Sequence, residues 1–195
     1  MERPKLTEVR EATLADKPRV VATLTRAFET DPIFDWVFPD PAVRARRGPK
    51  VFDMFFDANA APNMRLVTLD CGAATLWHAP NAPEGGLREL WRVWRAAGSA
   101  FFRFKRIGDS VEAHFPPQPF WYLHIAGADP AHQGEGLGAA VVQGGLDRIG
   151  KATAYLETGK QANIGFYEKL GFRVRDEWDV PGGGPHFWSM IRPQD

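Results

Sequence analysis

The sequence predicts an α/β protein in which a mixed sheet of about seven strands carries helices on both faces. Three observations lead to this prediction. Strand-like and helix-like segments alternate along the chain, a glycine-rich turn joins one strand to the next helix, and the last two strands form a hairpin. The length of 195 residues suits one domain, and no repeat or long linker divides it. We therefore expect a single domain over residues 1–195.

The first half of the chain is predicted to hold one strand, three helices and a hairpin. Residues 7–10 alternate polar and apolar side chains, as a short strand does. Apolar residues then recur at helical spacing, and Asp31-Pro32 ends the first helix. Cys71-Gly72 separates two apolar runs in the manner of a hairpin turn. The predicted elements are strand 7–10, helices 16–28, 33–37 and 43–60, and strands 65–70 and 73–77.

The second half is predicted to begin with a long helix, from Leu87 to Arg106. Its apolar residues recur at helical spacing, and it carries six Arg or Lys residues against one Glu. We expect its apolar stripe, which includes Trp91, Trp94 and Phe101, to lie in the core or in the wall of a substrate pocket. A membrane surface is the alternative for a basic amphipathic helix. The remaining predicted elements are strand 120–128, helix 139–149, strand 153–158, helix 163–170, and strands 172–180 and 185–191.

Composition limits the partners that we expect. Lys and Arg together number 24, as do Asp and Glu, so no net charge favours nucleic acid or an anionic surface. Cys71 is the single cysteine, and the histidines lack the spacing of metal ligands. The N-terminus carries charges where a signal peptide needs apolar residues, and no run approaches 18 apolar residues. We therefore expect a cytoplasmic monomer or homodimer that binds no metal, nucleic acid or membrane.

The glycine-rich turn has the form of an anion-binding site. Its sequence QGEGLG, residues 133–138, follows a strand and enters a helix. The first turn of a helix carries unpaired N–H groups and a partial positive charge, and glycines let a phosphate approach them closely. The dinucleotide-binding pattern G-x-G-x-x-G is not met, because Ala139 stands where the third glycine would be. Leu137 is spaced to anchor the helix to the sheet.

Two motifs resemble those of the GNAT N-acetyltransferase superfamily, whose members bind acetyl-CoA. The pattern Q-x-x-G-x-G, here Gln133, Gly136 and Gly138, matches the pyrophosphate loop, and the preceding strand ends in an Asp-Pro turn. About 30 residues later come a strand, Asn163, and then Tyr167 on a helix that ends in Gly-Phe. Other segments resemble the puromycin N-acetyltransferase-like branch; they are 27–28, 31–32 with Trp36, 77–80, 121–123 and 156–158.

The resemblance implies that an acetyl group passes directly from the sulfur of CoA to an amine. A backbone N–H near Gly127 would stabilise the oxyanion that forms, and Asn163 would bind the pantetheine arm, cap its helix, or both. Glu135 departs from the family pattern, in which Lys or Arg is common, and would weaken the affinity for CoA unless it turns to solvent. The implied contacts to acetyl-CoA are Ala126, Gly127, Ala128, Gln133, Gly134, Glu135, Gly136, Leu137, Gly138, Asn163 and Tyr167.

Three side chains are candidates for the proton transfers that this reaction needs. Tyr167 would protonate the departing thiolate of CoA, and its alternative role is packing beside Phe166. Glu157 would take the proton of the amine directly or through water, and its alternative role is a cross-strand ion pair. His124 is the rival base, because a pKa near 6.5 suits proton abstraction, and its alternative role is structural.

The sequence therefore predicts an acetyl-CoA-dependent N-acetyltransferase that acts on the primary amine of a small molecule, with antibiotic-like amines as candidates. A protein or peptide amine is the alternative acceptor. A non-catalytic acyl-CoA-binding module is the alternative class of protein. Trp36, Trp77 and Trp121 are candidates for an aromatic acceptor cleft, with core packing as their alternative role.

Overall fold

One seven-stranded sheet organises the computed structural model, which describes residues 7–80 and 86–194. Its strands are β1 (Val9–Glu11), β2 (Met64–Thr68), β3 (Ala73–His78), β4 (Trp121–Ala128), β5 (Ala154–Thr158), β6 (Arg173–Asp179) and β7 (His186–Arg192). They lie in the order β1-β2-β3-β4-β5-β7-β6. Strands β4 and β5 are parallel, and every other neighbouring pair is antiparallel. The predicted mixed sheet of about seven strands is confirmed.

Seven α-helices lie in the described residues and cover both faces of the sheet. They are α1 (Lys17–Ala27), α2 (Pro32–Val37), α3 (Pro41–Ala58), α4 (Leu87–Ala97), α5 (Phe101–Ala113), α6 (Leu137–Ile149) and α7 (Ile164–Glu168). Helices α1 to α4 share one apolar core with the sheet, and α6 and α7 share another. Neighbouring residues of β3 point into different cores, Ala74 into the first and Ala73 into the second, as the period of a strand requires. Within the described ranges, no helix is long and apolar enough to cross a membrane.

Two Asp-Pro pairs set where α2 and α3 begin. Asp31 Oδ1 accepts a hydrogen bond from the backbone N–H of Ile33 at 3.0 Å, and Asp40 Oδ1 accepts one from Ala42 at 2.8 Å. Proline follows each aspartate at the first helical position, where its missing N–H costs nothing. Asp31-Pro32 therefore starts α2 shortly after α1 ends at Ala27, and α2 packs against α3 in the same apolar core.

The predicted helix from Leu87 to Arg106 is in fact two helices, α4 and α5, so this prediction is wrong. Gly98 has a φ of +60° at the break, a conformation that favours glycine. A Cβ atom added at Gly98 would lie 2.6 Å from Arg47 Nη2. Arg47 also donates a hydrogen bond to the carbonyl of Arg95 at 3.0 Å, near the end of α4. The positive φ therefore favours glycine at the break, and the end of the Arg47 side chain fills the space beside it.

The apolar stripe of α4, which consists of Leu87, Leu90, Trp91 and Trp94, lies at the surface. Leu87 is 86% exposed, Trp91 54% and Trp94 58%. The expectation that this stripe lies in the core or in a pocket wall is wrong for these three residues, whereas Leu90 borders the cavity described below. The core-facing side of α4 is formed instead by its small residues, such as Ala96 and Ala97.

Candidate active site

A cavity of about 1180 Å³ lies between the sheet and the helices α2, α3, α4 and α5. Most of β4 and the end of β5 border it, and α7 borders it at Tyr167. The cavity therefore brings together Glu157, His124, Asn163 and Tyr167, which the sequence analysis proposed separately. Residues 126–128 border it as well, and the loop of residues 133–138 lies beyond the end of β4. Its apolar wall is largely aromatic and includes Phe28, Phe34, Phe55, Phe104, Phe115 and Phe187.

Strands β4 and β5 separate at the cavity. They pair only at two positions, Trp121 with Ala154 and Tyr122 with Tyr155. On their other sides β4 continues along β3, and β5 continues along β7. From Leu123 and Leu156 onward, the edges that face each other have no strand partner. Backbone groups along this gap are free to pair with an extended ligand that carries amide groups.

Gly127 lies where α1 crosses this part of β4. A Cβ atom added at Gly127 would lie 2.9 Å from Leu24 Cδ2 and 3.0 Å from Ala27 Cβ. Real side chains do not approach so closely, so α1 can rest on the strand only because residue 127 is glycine. The absence of a side chain at Gly127 is therefore explained by helix packing, whatever its N–H group does in the reaction.

The glycine-rich loop leaves the first turn of α6 open. Gly134 and Gly136 have φ values of +89° and +78°, which residues with a side chain rarely adopt. A Cβ atom added at either position would have no protein atom within 4 Å. Gly136 is the N-cap residue of α6, and Leu137 is 1% exposed in the core beneath that helix. The loop thus presents unpaired N–H groups to open space while Leu137 fixes the helix to the sheet.

Glu135 faces a histidine within the same loop. Its Oε2 lies 3.2 Å from His132 Nδ1, and both side chains are more than one-third exposed. The carboxylate thus lies beside the imidazole of His132, and both groups are exposed to solvent. This placement lowers the electrostatic cost of a carboxylate in an anion-binding loop.

Tyr167 is buried at the edge of the cavity, where its ring packs edge-on against Phe166 and Phe172. Burial raises the pKa of its phenol to about 12, and the negative charge of Asp31 adds to the effect. Asp31 also borders the cavity, 3.5 Å from Lys160 Nζ. Tyr167 consequently keeps its proton at neutral pH and can serve as an acid, but not as a base.

Asn163 links α7 to the end of β5. Its Nδ2 donates a hydrogen bond to Thr158 Oγ1 at 3.0 Å. Asn163 is the N-cap residue of α7, as considered for it, but its side chain makes no capping hydrogen bond. The side-chain oxygen has no such bond to hold it in place and stays available to a ligand in the cavity.

Glu157 is the most unusual group of the site. Both of its carboxylate oxygens are buried, and neither has a hydrogen-bond partner among the described residues. Burial raises its pKa to about 8, although the phenols of Tyr122 and Tyr155 oppose the rise. No salt bridge involves Glu157 within those residues, so the cross-strand ion pair considered for it is wrong. A carboxyl group in this environment is mostly protonated at pH 7 and becomes a base as the pH rises.

His124 lies beside a second histidine that sequence reasoning did not select. The rings of His124 and His78 are 4.8 Å apart, and His124 Nδ1 is buried without a partner in the described chain. Burial lowers the pKa of both histidines, that of His78 to about 4. Both are therefore neutral at pH 7. The β3–β4 register places His78 opposite Tyr122, and a bulge between Leu76 and Trp77 precedes that pairing.

The aromatic wall of the cavity is not made by the tryptophans considered for it. Trp77 is fully buried on the opposite face of the sheet, in the core shared with α6, and Trp121 packs against the same core. Core packing is thus the role of both. Trp36 packs against the cores on the cavity side. The sequence offered a signal for the true wall in its 14 phenylalanines, but not their positions.

Comparisons with known proteins agree with this geometry. A model of the acetyltransferase (GNAT) family matches residues 80–172, just under half of the chain, from before α4 to the end of the α7 region. The mycothiol acetyltransferase of Catenulispora acidiphila is 33% identical over 98 residues, 48% of this chain and 29% of the relative. That of Streptosporangium roseum is 35% identical over 78 residues, 37% of this chain and 21% of the relative. The matched stretch thus spans less than a third of either relative.

Two solved structures share the fold over almost the whole chain. A Corynebacterium glutamicum structure of histone acetyltransferase HPA2 and related acetyltransferase has a TM-score of 0.74 at 26% identity, covering 96% of each chain. Arylalkylamine N-acetyltransferase 2 of Aedes aegypti has a TM-score of 0.65 at 12% identity, covering 96% of this chain and 99% of that one. The resemblance to the puromycin N-acetyltransferase-like branch stays a prediction. The family match, the sequence relatives and the fold together make the chain similar to acetyltransferases of the GNAT family, which uses acetyl-CoA as co-substrate.

Proposed function

We propose that the protein transfers an acetyl group from acetyl-CoA to the primary amine of a small, largely apolar molecule. The observation that carries the proposal is the cavity itself, which is bordered by an unpaired strand edge and by the residues that carry a proton donor and a proton acceptor. We propose further that the protein works in the cytoplasm, without a metal ion, as a monomer or homodimer.

The residues present fit acetyl-CoA. The first turn of α6, with no side chain at Gly134 or Gly136, would hold the pyrophosphate. The unpaired edge of β4 at residues 126–128 would pair with the amides of the pantetheine arm, and Asn163 would add a side-chain contact. When bound, acetyl-CoA supplies the acetyl group as a thioester.

The protons of the reaction have an acceptor and a donor in the cavity. The amine must lose a proton to attack, and the thiolate of CoA gains one as it leaves. Glu157 would accept the first proton, because its pKa of about 8 matches the task of a base in mildly alkaline solution. Tyr167 would give up the second. His124 is the second candidate for the base, and its lowered pKa makes it the weaker one.

The cavity wall indicates the class of acceptor. Its phenylalanines offer flat apolar surface, and His78 and Glu157 are mostly neutral at pH 7. Charged side chains such as Asp31, Asp57 and Lys160 border other parts of the cavity. An amine carried on an aromatic or aliphatic body would bury apolar surface there. A sugar amine would leave its hydroxyl groups without partners against these rings, which costs free energy for each buried group.

Titration with acetyl-CoA by calorimetry tests the binding site. Gly136→Glu puts a carboxylate in the open first turn of α6 and is expected to lower the affinity at least about tenfold. Gly150→Glu is the matched control, because Gly150 also has a positive φ and open space around it, but lies at the other end of the same helix. Equal affinity in the two variants would contradict the assignment of the loop.

Release of CoA thiol with a panel of amines tests the reaction. We expect phenethylamine to be acetylated faster than glucosamine or a short peptide with a free N-terminus. Tyr167→Phe is expected to bind acetyl-CoA normally and to lose about 10²-fold in turnover. A wild-type protein that binds acetyl-CoA and acetylates none of these amines would be a binding module, and a preference for the peptide would point to a protein acceptor.

A further inference from the structure

The buried carboxyl group of Glu157 needs a path for its proton. Both of its oxygens are inaccessible, so an amine in the cavity cannot reach them directly in this conformation. A side chain that both faces Glu157 and borders the cavity would connect the two. The groups that oppose the burial of its charge are the phenols of Tyr122 on β4 and Tyr155 on β5.

These two phenols flank Glu157 from neighbouring strands. Tyr122 and Tyr155 form the last paired position before β4 and β5 separate. Glu157 follows Tyr155 by two residues, so both project from the same face of β5. Two further charged side chains affect these phenols. Glu112 of α5 raises the pKa of Tyr122, and Arg175 of β6 lowers the pKa of Tyr155.

Tyr155 is already committed to structural contacts. Its hydroxyl lies 2.8 Å from Ser189 Oγ and donates toward the carbonyl oxygen of His114 at 3.1 Å. Ser189 Oγ also accepts a hydrogen bond from Trp178 Nε1 at 2.8 Å. This network ties β5, β6 and β7 together and leaves the Tyr155 hydroxyl little freedom to exchange its proton with the cavity.

Tyr122 differs from Tyr155 in its position at the cavity and in the contacts of its hydroxyl. It borders the cavity, and its hydroxyl does not share the hydrogen bonds to Ser189 and His114 that hold the hydroxyl of Tyr155. Its ring is held by aromatic neighbours, with centroids 5.2 Å from that of Phe115 and 5.5 Å from that of His124. A fixed ring with an uncommitted hydroxyl is suited to passing a proton between a ligand and the carboxyl group behind it.

We propose that Tyr122 relays the proton of the acceptor amine to Glu157. The phenol oxygen forms a bond to the proton that leaves the amine nitrogen, while its own O–H bond breaks and that proton binds the carboxylate of Glu157. Tyr122 ends as it began, Glu157 ends protonated, and no electrons change hands. This inference rests on the proposed function, in which Glu157 is the base.

The test compares Tyr122→Phe with Tyr155→Phe, each of which removes one hydroxyl beside Glu157. With phenethylamine as acceptor, Tyr122→Phe is expected to lose about 10²-fold in kcat with an unchanged KM for acetyl-CoA. The increase of its rate with pH should also occur at a higher pH than in the wild type. The reason is that the carboxylate of Glu157 has lost a group that stabilises its charge. Tyr155→Phe should keep kcat within about threefold and have a lower melting temperature, because it breaks a buried network.

A second readout does not depend on turnover. Infrared difference spectra against Glu157→Gln follow the protonation of Glu157 in the free protein, and Tyr122→Phe should move this titration to higher pH. Turnover by the Tyr122→Phe variant at the wild-type rate would overturn the relay, as would equal losses of rate and stability in both variants. If the infrared shift appears but no amine is acetylated, the proposed function fails and the contact of Tyr122 with Glu157 stands.

Discussion

Burial, more than charge pairing, determines the protonation states of the individual residues of the cavity. Glu157 has a raised pKa and His78 and His124 have lowered ones, and desolvation is the largest cause in each case. Each group therefore favours its neutral form in the folded protein. Desolvation beside these neutral groups favours the unprotonated form of an amine, which is the form that attacks.

Glu157→Gln is expected to stabilise the protein while it removes activity. The pKa of Glu157 lies above its ordinary value, so the folded state binds this proton more tightly than the unfolded state does. The free energy of unfolding consequently falls as the pH rises from about 4.5 to about 8. Glutamine cannot ionise and avoids this loss.

The difference in stability between Glu157→Gln and the wild type should therefore grow with pH. Thermal or denaturant unfolding at about pH 5 and again at about pH 8 measures it, and we expect an increase of roughly 1–3 kcal/mol. A difference that stays constant between the two pH values would contradict the burial of a titrating carboxyl group at this position.

Sequence patterns could identify some of these residues and not others. Gly136 and Tyr167 belong to motifs that can be recognised from their spacing along the chain. The structure places Gly136 at the N-terminus of α6 and Tyr167 at the cavity. His78 and Tyr122 meet through the pairing of β3 with β4, after a bulge that no local pattern predicts. The burial of Glu157 likewise depends on which rings cover β5, and this is a property of the whole fold.

Among the secondary-structure elements, α1 and β4 make a close contact near the site. It depends on the missing side chain of Gly127, where an added Cβ would meet Leu24 and Ala27 at 2.9 and 3.0 Å. The same strand forms the unpaired edge of the cavity. Displacement of α1 would therefore alter the edge on which we propose that the pantetheine arm binds.

Gly127→Ala is expected to destabilise the protein by about 1–3 kcal/mol, because the helix must move to admit the methyl group. Gly108→Ala is the matched control: Gly108 lies in α5 with no atom within 4 Å of the added Cβ, so alanine should be neutral or stabilising by up to about 1 kcal/mol. Chemical unfolding of both variants measures the difference. Equal stability would show that α1 adjusts freely.

The break between α4 and α5 shows why element boundaries were harder to predict than the elements themselves. The apolar spacing continues across Gly98, and one glycine is tolerated within a helix at a cost of about 1 kcal/mol. The break occurs at Gly98, which has a positive φ, and the end of the Arg47 side chain from α3 packs against it. This contact spans about 50 residues of sequence, so nothing near Gly98 in the sequence reports it.

On the scale of the whole molecule, the described residues form apolar cores on both faces of the sheet and also an apolar surface that these cores do not include. That surface is the stripe of α4, where Leu87, Trp91 and Trp94 are each more than half exposed. Arg95 lies over the ring of Trp91 at 4.8 Å. Contiguous apolar surface of this kind adheres to other apolar molecules.

Trp91→Ser combined with Trp94→Ser is expected to reduce binding of the dye anilinonaphthalene sulfonate to the native protein, with no change in melting temperature. The control is Leu14→Ser, since Leu14 is 71% exposed but belongs to a different part of the surface. Dye fluorescence at equal protein concentration measures the effect. Unchanged fluorescence in the double variant would show that the stripe is covered in solution.

The gap between β4 and β5 also bears on how the sheet avoids joining other sheets. Exposed strand edges invite pairing with foreign strands, and proteins commonly guard them with charge. The outer strand β6 follows this rule, because Arg173, Arg175, Asp176 and Glu177 are all exposed along it. Strand β4 has no charged residue, yet its free edge lies inside the molecule opposite β5. Enclosure therefore protects this edge: a single extended chain can enter the gap, whereas the edge of another sheet cannot.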